Sequence, residues 1–100
     1  MKGDFPIYID IDGTLTDDAE YAQGRVVPDR VAKVKQLIED NVPVIIWSLG
    51  GTSYAQNFCN ANGLRPLLAV GKPHRCIDDK PTITAAGLYT RVLPETWLDS

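Results

Sequence analysis

Short apolar runs alternate along the chain with segments whose apolar residues recur at helical spacing. Runs of strand length cover residues 5–9, 42–47 and 67–70, and a shorter run covers residues 76–77. These runs are continuous and lack the alternation of polar and apolar positions that is typical of a strand with one exposed face. They therefore predict the strands of a parallel sheet that is covered on both faces.

Two amphipathic helices are predicted between the strands. The first begins at residues 28–29, where a proline and an acid suit the first helical turn, and it ends at Asn41. The second is capped by Thr52 or Ser53 and ends near Gly63. The apolar faces consist of Val31, Val34, Leu37 and Ile38 in the first helix and of Tyr54, Phe58 and Ala61 in the second. The predicted fold class is α/β, a three-layer, Rossmann-like fold with a mostly parallel sheet and helices on both faces.

Composition narrows the class of protein without changing the predicted fold. A length of 100 residues fits one domain, 1–100. The net charge of −3 argues weakly against a surface for nucleic acids or anionic membranes. Acids near the N-terminus do not fit a signal peptide, and no apolar run approaches the about 20 residues that span a bilayer, so we expect a cytoplasmic protein. Cys59 and Cys76 lack the CxxC spacing of a zinc site and are expected to be reduced thiols.

Each predicted strand ends in a polar residue. These residues are Asp10, Ser48, Lys72 and Asp78. In sheets of this kind, ligands bind beyond the carboxyl ends of the strands. Segments that are distant in sequence would therefore bring two carboxylates, a hydroxyl and an ammonium group to one edge of the sheet. A hydroxyl can donate a hydrogen bond to a phosphoryl oxygen, and a lysine supplies a fixed positive charge.

Carboxylates are clustered at this predicted edge. Asp10 and Asp12 are two residues apart, so both side chains project the same way from an extended segment. Asp78 and Asp79 add two more carboxylates. Because clustered carboxylates repel one another, a hard divalent cation such as Mg²⁺ would offset the repulsion and neutralise a phosphate bound beside it.

Taken singly, each of these residues also has an ordinary structural explanation. The Asp-Gly pair at residues 12–13 is a strong signal for a β-hairpin, which could also follow a nucleophile directly. Ser48 fits a solvated strand end, Lys72 a surface charge before a proline, and residues 78–79 a turn. Trp47 fits either core packing or stacking on a substrate ring. The occurrence of all four polar segments at strand ends favours a functional site.

In this order the segments resemble the motifs of the haloacid dehalogenase superfamily. Residues 10–14, Asp-Ile-Asp-Gly-Thr, are similar to its first motif, DxDGT. Ser48 after an apolar strand resembles the second motif, residues 71–73 resemble the third, and residues 77–79 resemble the fourth. The resemblance spans residues 5–79 and is closest to small capless phosphatases that carry a GKP…IDD pattern.

The resemblance implies a Mg²⁺-dependent phosphomonoester hydrolase that works through an aspartyl-phosphate. Asp10 would attack phosphorus, and Asp12 would act as the general acid and then as the general base. Ser48 and Lys72 complete the expected catalytic set. The expected phosphate-binding residues are Gly13, Thr14, Ser48, Leu49, Gly50 and Lys72. The expected metal ligands are Asp10, Asp12 through its backbone carbonyl, Asp78 and Asp79.

Two intervals depart from the commoner pattern of the superfamily. Lys72 and Asp78 are so close in sequence that no helix fits between them, so Lys72 must enter the site from a loop. The segments between the first three motifs are too short for a separate cap domain. We therefore expect a site that is open to solvent, and either a homodimer or a macromolecular substrate that closes it.

Other functions use similar groups. A non-catalytic regulatory module that binds metal or phosphate is the main alternative, although such a module would be expected to have lost an acid. A phospho-acceptor of the receiver type has its paired acids early in the chain, whereas here residues 78–79 come last. The expected partner is a phosphorylated substrate and not a membrane. A nucleotide, a sugar phosphate, a nucleic-acid end and a phosphoprotein are all compatible with the sequence.

Overall fold

The computed structural model describes residues 5–75, 77, 79 and 92–98. These residues form a small α/β fold around a parallel sheet with the strand order β1-β2-β3. The strands are β1 (Ile7–Asp10), β2 (Val44–Ser48) and β3 (Leu68–Gly71). The three long apolar runs of the sequence are therefore confirmed as neighbouring parallel strands.

Two helices connect the strands, and a short one lies near the end of the chain. The helices are α1 (Pro28–Glu39), α2 (Thr52–Ala61) and α3 (Pro94–Trp97). Helix α1 begins at the predicted proline, and Asn41 follows its end with a φ of 62°. The predicted side-chain cap of α2 is wrong, since Gly51 is the N-cap and the Thr52 hydroxyl accepts a hydrogen bond of 2.9 Å from the Gly71 N–H.

The hydrophobic core lies between one face of the sheet and the two long helices. Ile9 pairs with Ile46, and alternation along β2 places Val44 on the same face as Ile46. These strand residues form one buried cluster with Val31 and Val34 of α1 and with Ala55 and Cys59 of α2. In the described part of the chain both long helices thus cover the same face, and the second helical layer that the sequence predicted is not formed there.

The opposite face of the sheet carries different side chains. Tyr8, Asp10, Ile45 and Trp47 point to this side, because each is one residue out of step with the core positions. Tyr8 is 50% exposed, whereas Ile45 is buried. The predicted nucleophile therefore projects from the face that α1 and α2 leave uncovered.

The segment between β1 and α1 folds into a turn followed by a longer hairpin. The carbonyl of Ile11 accepts hydrogen bonds from the amides of Thr14, Leu15 and Thr16 at 2.8–3.2 Å. Thr16 then pairs with Val26 in an antiparallel bridge. The Asp-Gly pair lies in the turn and not at the tip of the hairpin, so the β-hairpin that this pair predicted at residues 12–13 is not formed. We call residues 11–27 the flap segment.

The fourth predicted strand falls mostly outside the described residues. Cys76 and Asp78 are among the residues that the structure does not describe. Ile77 is 98% exposed and belongs to no strand, so this part of the prediction is wrong at that residue. Among the described helices, none is long and apolar enough to cross a membrane.

Candidate functional site

The carboxylate of Asp10 lies at the carboxyl edge of the sheet, next to the ammonium group of Lys72. Asp10 is the last residue of β1, and Lys72 directly follows β3. The Lys72 amide donates a 2.8 Å hydrogen bond to the Ser48 carbonyl, which fixes the start of the loop. The Lys72 Nζ reaches across β2 to within 3.3 Å of Asp10 Oδ1. The sequence prediction that Lys72 enters from a loop agrees with this geometry.

The indole of Trp47 lies beneath this ion pair. The Nζ of Lys72 is 5.5 Å from the centre of the Trp47 ring, a distance at which the ring face attracts a cation. The ring of Tyr8 packs at 4.6 Å on Trp47 and limits its movement. The side chains of Lys72 and Asp10 are 29% and 31% exposed, so water screens their charges, and the pair orients the groups more than it stabilises the fold. Trp47 thus supports Lys72.

The turn at the start of the flap segment holds the other oxygen of Asp10. The Thr14 hydroxyl donates to Asp10 Oδ2 at 3.4 Å. Arg30, in the first turn of α1, donates to the Thr14 carbonyl at 3.1 Å and ties the turn to the helix. Gly13 has a φ of 78°, and a Cβ there would lie 3.1 Å from the Ala19 backbone, so glycine is required at this position. Both carboxylate oxygens of Asp10 consequently face a proton donor of the protein.

Asp12 is held by residues that the sequence analysis did not single out. The Tyr54 hydroxyl, on α2, donates a 2.7 Å hydrogen bond to Asp12 Oδ1. The amide of Ala22, in the flap segment, donates to the same oxygen at 3.2 Å. Burial, together with the hydrogen bond to Asp12 and the charge of Asp12, raises the pKa of Tyr54 to about 12. The Tyr54 phenol is therefore protonated throughout the neutral range.

Ser48 lies at the predicted sheet edge, but its side chain is buried. It is 1% exposed, and its Oγ accepts a 2.9 Å hydrogen bond from the Gly50 amide. The amides of Gly13 and Thr14 also donate within the protein, to Thr16 Oγ1 and to a backbone carbonyl. In this conformation the amides of Gly13, Thr14 and Gly50 are therefore engaged within the protein. Leu49, which is 85% exposed, is the remaining predicted loop donor.

An open cleft begins at Asp12 and runs between the flap segment and the loop after β2. Its volume is about 420 Å³, and the lining residues are Asp12, Ala19, Tyr21, Leu49 and Gly50. The ring of Tyr21 packs at 4.8 Å on Tyr54 and is 60% exposed. A group bound next to Asp12 would therefore contact an apolar and aromatic wall.

The oxygen donors at this edge suit a hard divalent cation. The Asp10 carboxylate and the Asp12 carbonyl are ligand types that Mg²⁺ prefers. Within the described residues, however, no three carboxylate, histidine or cysteine side chains come together as metal ligands. Asp78, the third expected ligand, lies outside the described residues, and Asp79 is exposed. The donors of Asp10 and Asp12 thus fit Mg²⁺ in kind.

Tyr54 and Tyr21 are the main residues of the candidate site that the sequence analysis did not predict. The helical spacing predicted that Tyr54 lies on the apolar side of α2 with Phe58. The structure agrees, because both side chains pack against the core. Only the Tyr54 hydroxyl departs from that pattern, because a buried tyrosine hydroxyl needs a polar partner. That requirement is the signal that could have connected Tyr54 with a nearby acid.

No family model, curated protein or solved structure matches this chain. The resemblance to the haloacid dehalogenase superfamily is therefore carried by the motif residues themselves.

Proposed function

We propose that this protein is a phosphomonoester hydrolase whose nucleophile is Asp10. The observation that carries the proposal is the placement of two early aspartates in separate environments. Asp10 lies between a lysine and a threonine hydroxyl at the sheet edge. Asp12 accepts hydrogen bonds from the Tyr54 hydroxyl and from the Ala22 amide of the flap segment. Two carboxylates in different surroundings suit two different roles, as nucleophile and as proton donor.

The reaction would proceed in two displacements. An oxygen of Asp10 attacks phosphorus, and the bond from phosphorus to the ester oxygen breaks. Asp12 gives its proton to the departing oxygen and later takes a proton from the water that attacks the aspartyl-phosphate. That second attack releases inorganic phosphate and regenerates the Asp10 carboxylate. The leaving group would lie in the cleft, because the cleft begins at Asp12.

Lys72 would stabilise negative charge on the transferring phosphoryl group. Its ammonium group is already within 3.3 Å of the nucleophile and is steered by the Trp47 ring. Mg²⁺, held by Asp10, the Asp12 carbonyl, Asp78 and Asp79 as the resemblance implies, would supply further charge neutralisation. Phosphate binding by Ser48 would require the loop at residues 49–51 to move, since Ser48 is buried.

The test is hydrolysis of p-nitrophenyl phosphate with Mg²⁺, with and without a chelator. Asp10→Asn should lower kcat by more than about 10³-fold, because the amide is a poor nucleophile. Asp18→Asn is the matched control, since Asp18 is an exposed acid whose carboxylate caps a local turn by accepting from the Glu20 amide. Near wild-type turnover by the folded Asp10→Asn protein would show that the nucleophile is another residue.

A phosphate- or metal-binding module without turnover is the second candidate. Because Ser48 is buried and the Gly13 and Gly50 amides bond internally, few donors besides Lys72 are free to stabilise a transition state, and this favours binding without turnover. Titration calorimetry with inorganic phosphate and Mg²⁺ separates the two functions. Binding that is lost in Lys72→Met, with no hydrolysis of any ester tested, would support the module.

A further inference from the structure

Tyr54 connects the middle of the chain to the predicted proton donor. It lies in the first turn of α2, and its hydroxyl is 2.7 Å from an oxygen of Asp12, a residue 42 positions earlier. This hydrogen bond is shorter than those between Thr14 and Asp10 and between Gln36 and Asp40. A distance of this length is typical of a well-formed hydrogen bond between two oxygen atoms.

Two donors meet on one oxygen of Asp12. The Ala22 amide donates to Oδ1 at 3.2 Å, the same atom that accepts from Tyr54. Ala22 has a φ of 58°, a conformation that alanine rarely adopts, so the flap segment bends unfavourably at the residue that makes this contact. Among the described residues no hydrogen bond reaches Oδ2. With Oδ1 engaged, Oδ2 is the oxygen that can exchange a proton with a ligand.

The ring of Tyr54 is itself held in place. Tyr21 packs against it at 4.8 Å. A Cβ at Gly50 would lie 2.8 Å from the Tyr54 ring and 2.6 Å from the Tyr21 ring, so the two rings rest directly on the glycine. Phe58, one turn further along α2, packs with Tyr54 against the core. The Tyr54 ring therefore has little freedom to rotate, and its hydroxyl is held against Asp12.

We propose that Tyr54 is a positioning residue that orients Asp12 so that its Oδ2 faces the leaving-group oxygen. The proposal deepens the proposed function and rests on it. Tyr54 does not touch the reacting atoms and acts only through Asp12. Its contribution should therefore appear only where the leaving group needs a proton.

The test compares two esters that differ in this need. Phenyl phosphate has a poor leaving group that requires a proton, whereas 2,4-dinitrophenyl phosphate departs without one. Tyr54→Phe keeps the ring and removes the hydroxyl. We expect kcat/KM, which reports the steps through cleavage of the ester bond, to fall about tenfold or more for phenyl phosphate. The value for 2,4-dinitrophenyl phosphate should change by less than about threefold.

Ser53→Ala is the matched control, because it also removes one hydroxyl from the first turn of α2 and Ser53 is exposed. It should leave the ratio of the two kcat/KM values unchanged. A second measurement introduces Tyr54→Phe into the Asp12→Asn protein, where no proton donor is left to position. There the additional change in the phenyl phosphate value should be less than about threefold.

Three outcomes would overturn the inference. An equal loss for both esters in Tyr54→Phe would assign Tyr54 a general structural role. Unchanged values for both esters would show that Asp12 needs no support from the hydroxyl. Absence of hydrolysis by the wild-type protein would refute the proposed function itself, and Tyr54 would have no proton donor to position.

Discussion

The strand ends and the flap segment place their functional groups by different means. Asp10 and Lys72 reach the site through the backbone pairing of β1, β2 and β3, which fixes both within one residue of a strand. Asp12 lies beyond the last paired residue of β1, and its position depends on side-chain and amide contacts with Tyr54 and Ala22. The sheet therefore determines where the proposed nucleophile lies, and tertiary contacts determine where the proposed proton donor lies.

Because of this difference, substitutions in the two regions should affect activity in two different ways. Loss of a strand-end group should affect every substrate, because each ester needs the nucleophile and the charge beside it. Loss of a group in the flap segment, or of its contact on α2, should affect proton transfer alone. Substitutions at the two regions can therefore be told apart by how their effects depend on the leaving group and on the step of the reaction.

The largest effect that separates the two regions is expected from Asp12→Asn. This change keeps the nucleophile and removes the proton donor, so turnover should fall by about 10²–10⁴-fold. With 2,4-dinitrophenyl phosphate the first displacement should survive while water attack fails. A phosphorylated protein should then accumulate and be visible by intact mass. If Asp10→Asn accumulates the same adduct at the same residue, the two roles are assigned wrongly.

A smaller effect is expected from Lys72→Met at the strand ends. Removing the ammonium group beside Asp10 should lower kcat/KM by about 10²-fold, a loss that is typical for one electrostatic group of an active site. Because Lys72 acts on the phosphoryl group, phenyl phosphate and 2,4-dinitrophenyl phosphate should suffer alike. Lys35→Met, an exposed lysine on α1, is the control and should change neither value. A loss confined to phenyl phosphate would indicate that Lys72 acts on the leaving group and not on the phosphoryl group.

The sequence predicted the strand ends more successfully than the side-chain contacts. Continuous apolar runs indicate buried strands, and parallel strands end at one edge, so the closeness of Asp10 and Lys72 follows from local pattern and topology. The burial of Ser48 does not follow, because a polar residue at a strand end is equally compatible with solvent. The bond between Tyr54 and Asp12 joins residues 42 positions apart, and only the packing of α2 on the sheet brings them together.

The last prediction concerns stability and not activity, through the packing of α2, the helix that carries Tyr54. Burial raises the pKa of the Cys59 thiol from 9.0 to about 11. The unfolded chain loses this proton at a lower pH than the folded protein, so stability falls as the pH rises from about 9 towards about 11. The full difference corresponds to about 3 kcal/mol of unfolding free energy.

Urea unfolding between pH 8 and pH 11 measures this effect, and Cys59→Ala should make the decline shallower. Tyr54 contributes a decline of the same sign at higher pH, since burial raises its pKa from 10.0 to about 12. If the unfolding free energies of wild-type protein and Cys59→Ala depend on pH in the same way, the Cys59 thiol is not buried as described.

The most direct test of the central claim is to find the residue that carries the phosphoryl group. Wild-type protein is mixed with 2,4-dinitrophenyl phosphate and Mg²⁺ and quenched in acid within milliseconds. Borohydride then reduces an acyl phosphate on aspartate to homoserine, and peptide mass spectrometry locates the change. Homoserine at residue 10 is the predicted result. Turnover accompanied by homoserine at another residue, or by none at all, would contradict the assignment of Asp10 as the nucleophile.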